Sequence, residues 1–192
     1  MNPNFLVEGF NFSEYSKFIM KIETLQKSRK ENELIGPLEV VFGIYSNKGK
    51  EKCIIQSEKL FSRARSSIRI VSGILNHDFY DDDRIIGALK KAVDRKVSVE
   101  IISGPEIDEK SKRILDLNKQ GKIEIWKLQN TPELHYSIID EKHARLENFH
   151  SSYDEKSVAT IEWWTIGTAV KLMGEYKKLR QQAELLQPGE AA

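Results

Sequence analysis

The stretch from Pro132 to His150, PELHYSIIDEKHARLENFH, carries the most information about the fold of this chain. Apolar and polar residues alternate in HYSIID and again in HARLEN, a pattern typical of short strands that are half buried. The polar Glu141–Lys142 pair between them suits a turn. The sequence therefore predicts a β-hairpin.

The hairpin is unusually rich in side chains that can bind or react. Alternation places the polar residues of each strand on one face, and residues on one face of paired strands meet. The candidates are His135, Ser137 and Glu133 on the first strand, His143, Arg145 and Glu147 on the second, and His150 just beyond it. They predict either a ligand-binding cluster or a purely structural one, with Arg145 paired to Glu147 or Asp140 and His135 a hydrogen-bonded core residue.

Strands alternate with helices upstream of the hairpin. Predicted strands are SIRIVSGIL (67–75), VSVEIISG (97–104) and IEIWKL (123–128), and predicted helices run from Glu51 to Ala64, from Asp81 to Lys96 and from Asp108 to Lys119. Helical crossovers between strands indicate a parallel arrangement. We expect an α/β three-layer sandwich with a mixed, mainly parallel sheet over residues 38–188.

Two helical segments flank this pattern. Residues 1–37 predict an N-terminal helical extension with Ser13 as N-cap, which packs on the same domain or on a second copy. A closing helix is predicted to bury a face that includes Val170, Met173 and Tyr176. Both helices are candidate contact surfaces for a protein partner.

Composition excludes several classes of protein. The 192 residues carry a formal charge of +1, so nucleic-acid binding is not indicated by net charge and would need a local patch. Cys53 is the single cysteine, which rules out an internal disulfide and argues against a structural zinc site. No apolar run has the length of a transmembrane helix and no signal peptide is evident, so we expect a cytoplasmic protein.

The order of strands and helices over residues 38–186, together with the IID strand of the hairpin, resembles one lobe of the phospholipase D superfamily. The segment from Glu39 to Gly73 also resembles the effector-binding domain of TrmB-type transcriptional regulators, which share that fold. Active phospholipase D-like enzymes carry a His-x-Lys-x4-Asp motif without a cofactor or metal, and they build the site from two lobes. The resemblance therefore implies a homodimer here.

The catalytic motif is incomplete in this chain. When Asp140 is aligned with the family aspartate, for which we expect a structural role, His135 falls on the lysine and Glu133 on the nucleophile. When His135 is aligned as the nucleophile, Ser137 replaces the lysine and Asp140 lies two residues too early. The Gly-Ser-x-Asn segment that follows the hairpin in the family is replaced by residues 147–150, ENFH.

Three functions follow from these observations. The first is a non-catalytic regulatory module that binds a small anionic or sugar ligand, or a partner protein. The second is a metal-independent phosphodiesterase or nuclease in which His135 from each subunit of a dimer is catalytic. The third is a protein-interaction or nucleic-acid-associated part of a larger system. The sequence favours the first. It also leaves open whether the loop GILNHDFYDDD, with His77, lines a cleft or is simply the acidic start of a helix.

Overall fold

The computed structural model describes residues 44–48, 50–147, 158–162 and 166–187. The predicted extension over residues 1–37 and His150 lie outside them. The strands are β1 (Ile44–Lys48), β2 (Ser67–Leu75), β3 (Ser98–Ile107), β4 (Glu124–Lys127), β5 (His135–Ile139), β6 (His143–Glu147), β7 (Val158–Glu162) and β8 (Glu184–Leu185). The helices are α1 (Lys50–Arg63), α2 (His77–Tyr80), α3 (Asp83–Asp94), α4 (Lys112–Lys119) and α5 (Ile166–Gln182).

The eight strands of this part of the chain form one mixed sheet in the order β1-β7-β6-β5-β2-β3-β4-β8. Only the β2–β3 and β3–β4 pairs are parallel, and the other five pairs are antiparallel. The expectation of a mainly parallel sheet was therefore wrong. The βαβ crossovers account for three strands, whereas β5 enters beside β2 in the opposite direction and the chain then continues by antiparallel pairing.

Helices cover both faces of the sheet, which confirms the three-layer sandwich. Ile68, Ile70 and Ile101 face a core formed with α1, α2, α3 and α4. Val71 and Ile102 face a second core, formed with α5. Because successive residues of a strand point to opposite faces, β2 and β3 are apolar almost throughout.

The closing helix differs from the sequence prediction in the face that it buries. Ala169, Leu172 and Tyr176 are buried against the sheet, whereas Val170 is 59% exposed. Met173 packs partly buried against the same core, as predicted. None of the helices in the described ranges combines the length and the apolar character needed to cross a membrane.

Aspartates of the acidic turn before α3 cap the first turns of two helices, α3 and α4. Asp82 is the N-cap of α3, and its side chain accepts a hydrogen bond from the Arg84 amide. Asp81 accepts from the amides of Arg113 and Ile114, at 3.0 and 3.1 Å, and so caps the first turn of α4 from another segment. This capping favours the helix-start interpretation of the aspartates.

The hairpin between β5 and β6 turns at Asp140 and Glu141, which both have positive φ, at 53° and 56°. The Lys142 amide donates to the Ile139 carbonyl across this turn, at 3.0 Å. Two consecutive residues with positive φ match the right-handed twist of paired strands, and Asp is one of the residues that tolerate this conformation.

The Asp140 carboxylate connects the hairpin to the start of β2. It accepts hydrogen bonds from the amides of Arg65, Ser66 and Ser67, at 2.7 to 3.1 Å, and from the Ser66 hydroxyl at 2.9 Å. Burial acts to raise the pKa of this carboxyl, but the amide hydrogen bonds outweigh it and hold the pKa below its ordinary value. These hydrogen bonds hold the hairpin turn against the start of β2, and the structural role of Asp140 stays a prediction.

Candidate functional site

The hairpin register brings four of the predicted polar residues together. His135 pairs with Glu147, and Ser137 pairs with Arg145. The four form the polar cluster. Their exposed fractions are 4%, 3%, 2% and 6% for His135, Ser137, Arg145 and Glu147 respectively. The cluster is thus enclosed within the helix-covered side of the sheet, not open to solvent.

Arg145 and Glu147 form a buried ion pair within this cluster, between the guanidinium Nη2 and the carboxylate Oε1. The guanidinium carbon lies 5.5 Å from the centre of the Phe79 ring, within the range of a cation–π contact. Burial raises the pKa of the Cys53 thiol; Arg145 opposes this shift and Glu147 adds to it. The positive charge of Arg145 is therefore met by a carboxylate and an aromatic face.

His135 is held by the backbone of β2. Its Nε2 accepts a hydrogen bond from the Gly73 amide at 2.9 Å. An accepting nitrogen carries no proton, so the hydrogen bond assigns the neutral ring with its proton on Nδ1. The β2–β3 register shifts at the same place, between Ser72 and Ile74, so the parallel ladder is irregular beside this hydrogen bond.

Helix α2 covers the polar cluster. Phe79 and Tyr80 are 2% and 3% exposed, and their rings pack edge to face with centroids 5.0 Å apart. Burial raises the pKa of Tyr80 strongly, while a hydrogen bond with Ser72 acts in the opposite direction. Sequence reasoning missed these cover residues, although an aromatic pair directly after a predicted central strand was a usable signal.

The remaining candidates lie apart from the cluster. Glu133 precedes β5 and is exposed, so it is not enclosed with the four. His143 pairs with Ile139 at the far end of the hairpin, beside the amino end of β2. Alternation correctly predicted that His143 and Arg145 share a face of β6. It did not predict that His143 and His135 lie at opposite ends of the hairpin.

The carboxyl ends of β2 and β3 carry a second, more exposed group. The His77 Nδ1 lies 2.5 Å from Asp108 Oδ2, and Lys50 pairs with Asp78 at 2.8 Å. The hydrogen bond from His77 is the main cause that lowers the pKa of Asp108 to about 2. Among the residues that the structure describes, no three His, Cys, Asp or Glu side chains are grouped so that they could hold a metal ion.

Several solved structures share the fold of this chain. Nuc from Salmonella typhimurium, a phospholipase D family member, matches with a TM-score of 0.58 and 18% identity over 75% of this chain and 97% of its own. NucT from Helicobacter pylori matches with a TM-score of 0.55 and 19% identity, over 74% and 98%. TrmBL2, an archaeal chromatin protein, matches with a TM-score of 0.56 and 18% identity over 90% of this chain and 63% of its own.

These likenesses show that the chain has the phospholipase D fold, as the hairpin and the strand order predicted. The sequence matches no protein-family model and no curated protein. At 18% to 19% identity, the fold is what these structures have in common with the chain.

Proposed function

We propose that this chain is a non-catalytic, regulatory module built on the phospholipase D fold. One observation carries the proposal: the Nε2 of His135, the histidine nearest to a catalytic position, accepts the Gly73 amide proton in a buried site. A nucleophile needs a lone pair that can reach the substrate. Here the Nε2 lone pair is used within the protein.

The charge of the site supports the same proposal. Phosphoryl transfer needs positive charge for the oxygen that becomes negative in the transition state. Arg145 pairs with Glu147, and Ser137 stands beside it where one alignment would require a lysine. A buried, internally neutralised pair stabilises its own groups and not an incoming phosphodiester.

The regulatory role is proposed by analogy, from the resemblance of the sequence to TrmB-type regulators. TrmBL2 matches 90% of the chain, compared with 75% for Nuc and 74% for NucT. TrmBL2 is a chromatin protein that binds DNA, by a mode described as novel. By analogy we assign this chain to regulation, in which a small anionic or sugar ligand or a partner protein is bound.

We place the ligand at the carboxyl ends of β2 and β3, next to α2. Open α/β sheets bind ligands beyond these strand ends. Arg145 and Ser137 are enclosed beneath, so the first contacts fall to the partly exposed His77 and Asp108. The resemblance to a family that builds its site from two lobes supports the proposal of a homodimer. Sedimentation equilibrium measures this directly, and a mass of one chain at micromolar concentration would contradict it.

The test of the non-catalytic role is an assay with bis-p-nitrophenyl phosphate in the presence of EDTA. We expect release of p-nitrophenol at the rate of the buffer blank, and the same rate for His135→Ala. Metal-independent turnover by the unaltered chain that disappears in His135→Ala and persists in His143→Ala would overturn the proposal. His143 is the matched control because it lies at the other end of the hairpin.

Ligand binding is tested separately by thermal unfolding with inorganic phosphate and a panel of mono- and disaccharides. A bound ligand at about 100 times its Kd stabilises the folded state by about 2.7 kcal/mol. We expect one such probe to raise the Tm of the unaltered chain and to lose this effect with His77→Ala. Unchanged Tm values across the panel would reject a small ligand in favour of a protein partner.

A further inference from the structure

The amino ends of β2 and β3 carry a basic surface, at the opposite edge of the sheet from the carboxyl ends where we place the ligand. Exposed cations meet here from the end of α1, the α1–β2 connection, the end of α3 and the turn of the hairpin. We call this surface the amino-end patch. It consists of Arg63, Arg65, Arg95, Lys96 and Lys142.

Contacts between the four segments make the patch continuous. Arg95 Nη2 donates to the Ser62 and Ala64 carbonyls, at 3.0 and 3.1 Å, which places it against the end of α1. The Arg65 amide bonds to Asp140, so the α1–β2 connection lies against the hairpin turn. Burial lowers the pKa of His143, and the Asp140 carboxylate opposes this shift. Lys142 and Arg63 lower the pKa further because both cations lie near the imidazole ring.

Several cations of the opposite edge are neutralised by ion pairs of a kind that two cations of the amino-end patch lack within the described residues. Near the carboxyl ends, Lys50, Arg84 and Arg113 each pair with at least one carboxylate. Within the described residues, by contrast, Arg65 and Lys142 form no salt bridge. Arg95 hydrogen-bonds to carbonyl oxygens, and no carboxylate in the described ranges forms a salt bridge with it.

The acidic groups of this surface do not cancel its charge. Asp94, Asp140 and Glu141 are the carboxylates in its segments, against five cations. The oxygens of Asp140 accept hydrogen bonds from backbone amides, which restricts them from pairing with the cations. The surface therefore keeps a net positive charge.

The helix dipole explains only part of this pattern. Basic residues at the last turns of α1 and α3 stabilise the negative ends of these helices, and Arg95 does so by direct hydrogen bonds. Arg65 and Lys142 lie outside helices, in the α1–β2 connection and the hairpin turn. Stabilisation of helix ends does not account for their presence beside the other cations.

We propose that the amino-end patch binds the phosphodiester backbone of nucleic acid. Guanidinium groups are planar donors that match phosphate oxygens, and three of the five cations are arginines. The contacts are to phosphates and not to bases, so binding is independent of sequence. A local patch is sufficient even though the whole chain carries a formal charge of only +1.

Fluorescence anisotropy with a labelled short DNA duplex tests this proposal on the full chain. If about three phosphates are neutralised, the association constant should fall about 40-fold between about 50 and about 200 mM salt. The variant Arg65→Gln/Lys142→Gln should flatten the slope of log K against log salt by about 2. Both side chains are exposed, so the Tm is expected to stay unchanged.

The matched control is Lys110→Gln/Lys112→Gln, which removes the same charge from exposed lysines near the carboxyl ends. We expect this variant to bind DNA as the unaltered chain does. An equal loss in both variants would mean that total charge and not the patch is responsible, and it would overturn the proposal. A lack of DNA binding at about 50 mM salt would also overturn the proposal. Binding of phosphatidylglycerol vesicles without binding of DNA would be one such result.

Discussion

The contact between Gly73 and His135 shows how one residue without a side chain shapes the polar cluster. A Cβ atom at Gly73 would lie 2.4 Å from His135 Nε2, 3.0 Å from its Cε1 and 3.2 Å from Thr131 Cγ2. Real Cβ atoms essentially never come within 3.0 Å of another atom, and the buried imidazole has little room to move away. Glycine is needed here for the close approach of the ring to the β2 backbone.

We therefore expect Gly73→Ala to destabilise the fold by about 2 kcal/mol through overpacking. In a His135→Ala background, the two closest atoms are absent and most of this cost should disappear, which gives a coupling energy of more than about 1 kcal/mol. Urea denaturation of the four proteins measures this cycle.

Gly87→Ala is the control for Gly73→Ala. Gly87 lies in α3 with open space around the position of a Cβ, so the alanine should stabilise the helix by about 1 kcal/mol. Additive costs of Gly73→Ala and His135→Ala would contradict the contact between the two residues.

At the scale of the elements, α4 depends on a residue of another segment for its first turn. Ser111 occupies the N-cap position of α4 but makes no side-chain cap, and its hydroxyl donates to the Leu75 carbonyl at 2.7 Å. Asp81 supplies the acceptor instead, for the Arg113 and Ile114 amides. The start of α4 is thereby coupled to the turn that precedes α3.

Removal of this cap by Asp81→Ala should cost about 1 kcal/mol, the usual value for a lost N-cap. Hydrogen exchange should increase in the first turn of α4. The neighbouring Asp83→Ala removes a carboxylate that is 90% exposed and paired with Arg113, so its cost should stay below about 0.5 kcal/mol. Equal effects of the two substitutions would show that Asp81 acts only through its charge.

At the scale of the whole molecule, the parallel strands β2, β3 and β4 meet the antiparallel strands β5, β6, β7 and β1 where β2 pairs with β5. Asp140 strengthens this junction through its hydrogen bonds to the segment that begins β2. Because the pKa of Asp140 is lowered in the folded state, its contribution is complete above the unfolded value of about 4. It is lost as the pH falls through the folded value.

We expect Asp140→Asn to lower the free energy of unfolding by about 2 kcal/mol at neutral pH, since an amide cannot replace a carboxylate that accepts several N–H groups. The difference from the unaltered chain should shrink as the pH falls below about 4. Urea unfolding across this range measures it. Asp116→Asn, on the exposed side of α4, should show no comparable difference, and a pH-independent cost of Asp140→Asn would refute the charge-based explanation.

The sequence by itself determined most of the elements and the side chains that share a face. The strand Ser67–Leu75 was predicted with the bounds that it has in the structure, and alternation paired the correct faces of β5 and β6. Tertiary structure decided the direction of β5 beside β2, the enclosure of Arg145 and the use of His135 Nε2 by Gly73, 62 residues away. Periodicity is a property of neighbouring residues, whereas register, burial and hydrogen-bond partners depend on which distant segments come together when the chain folds.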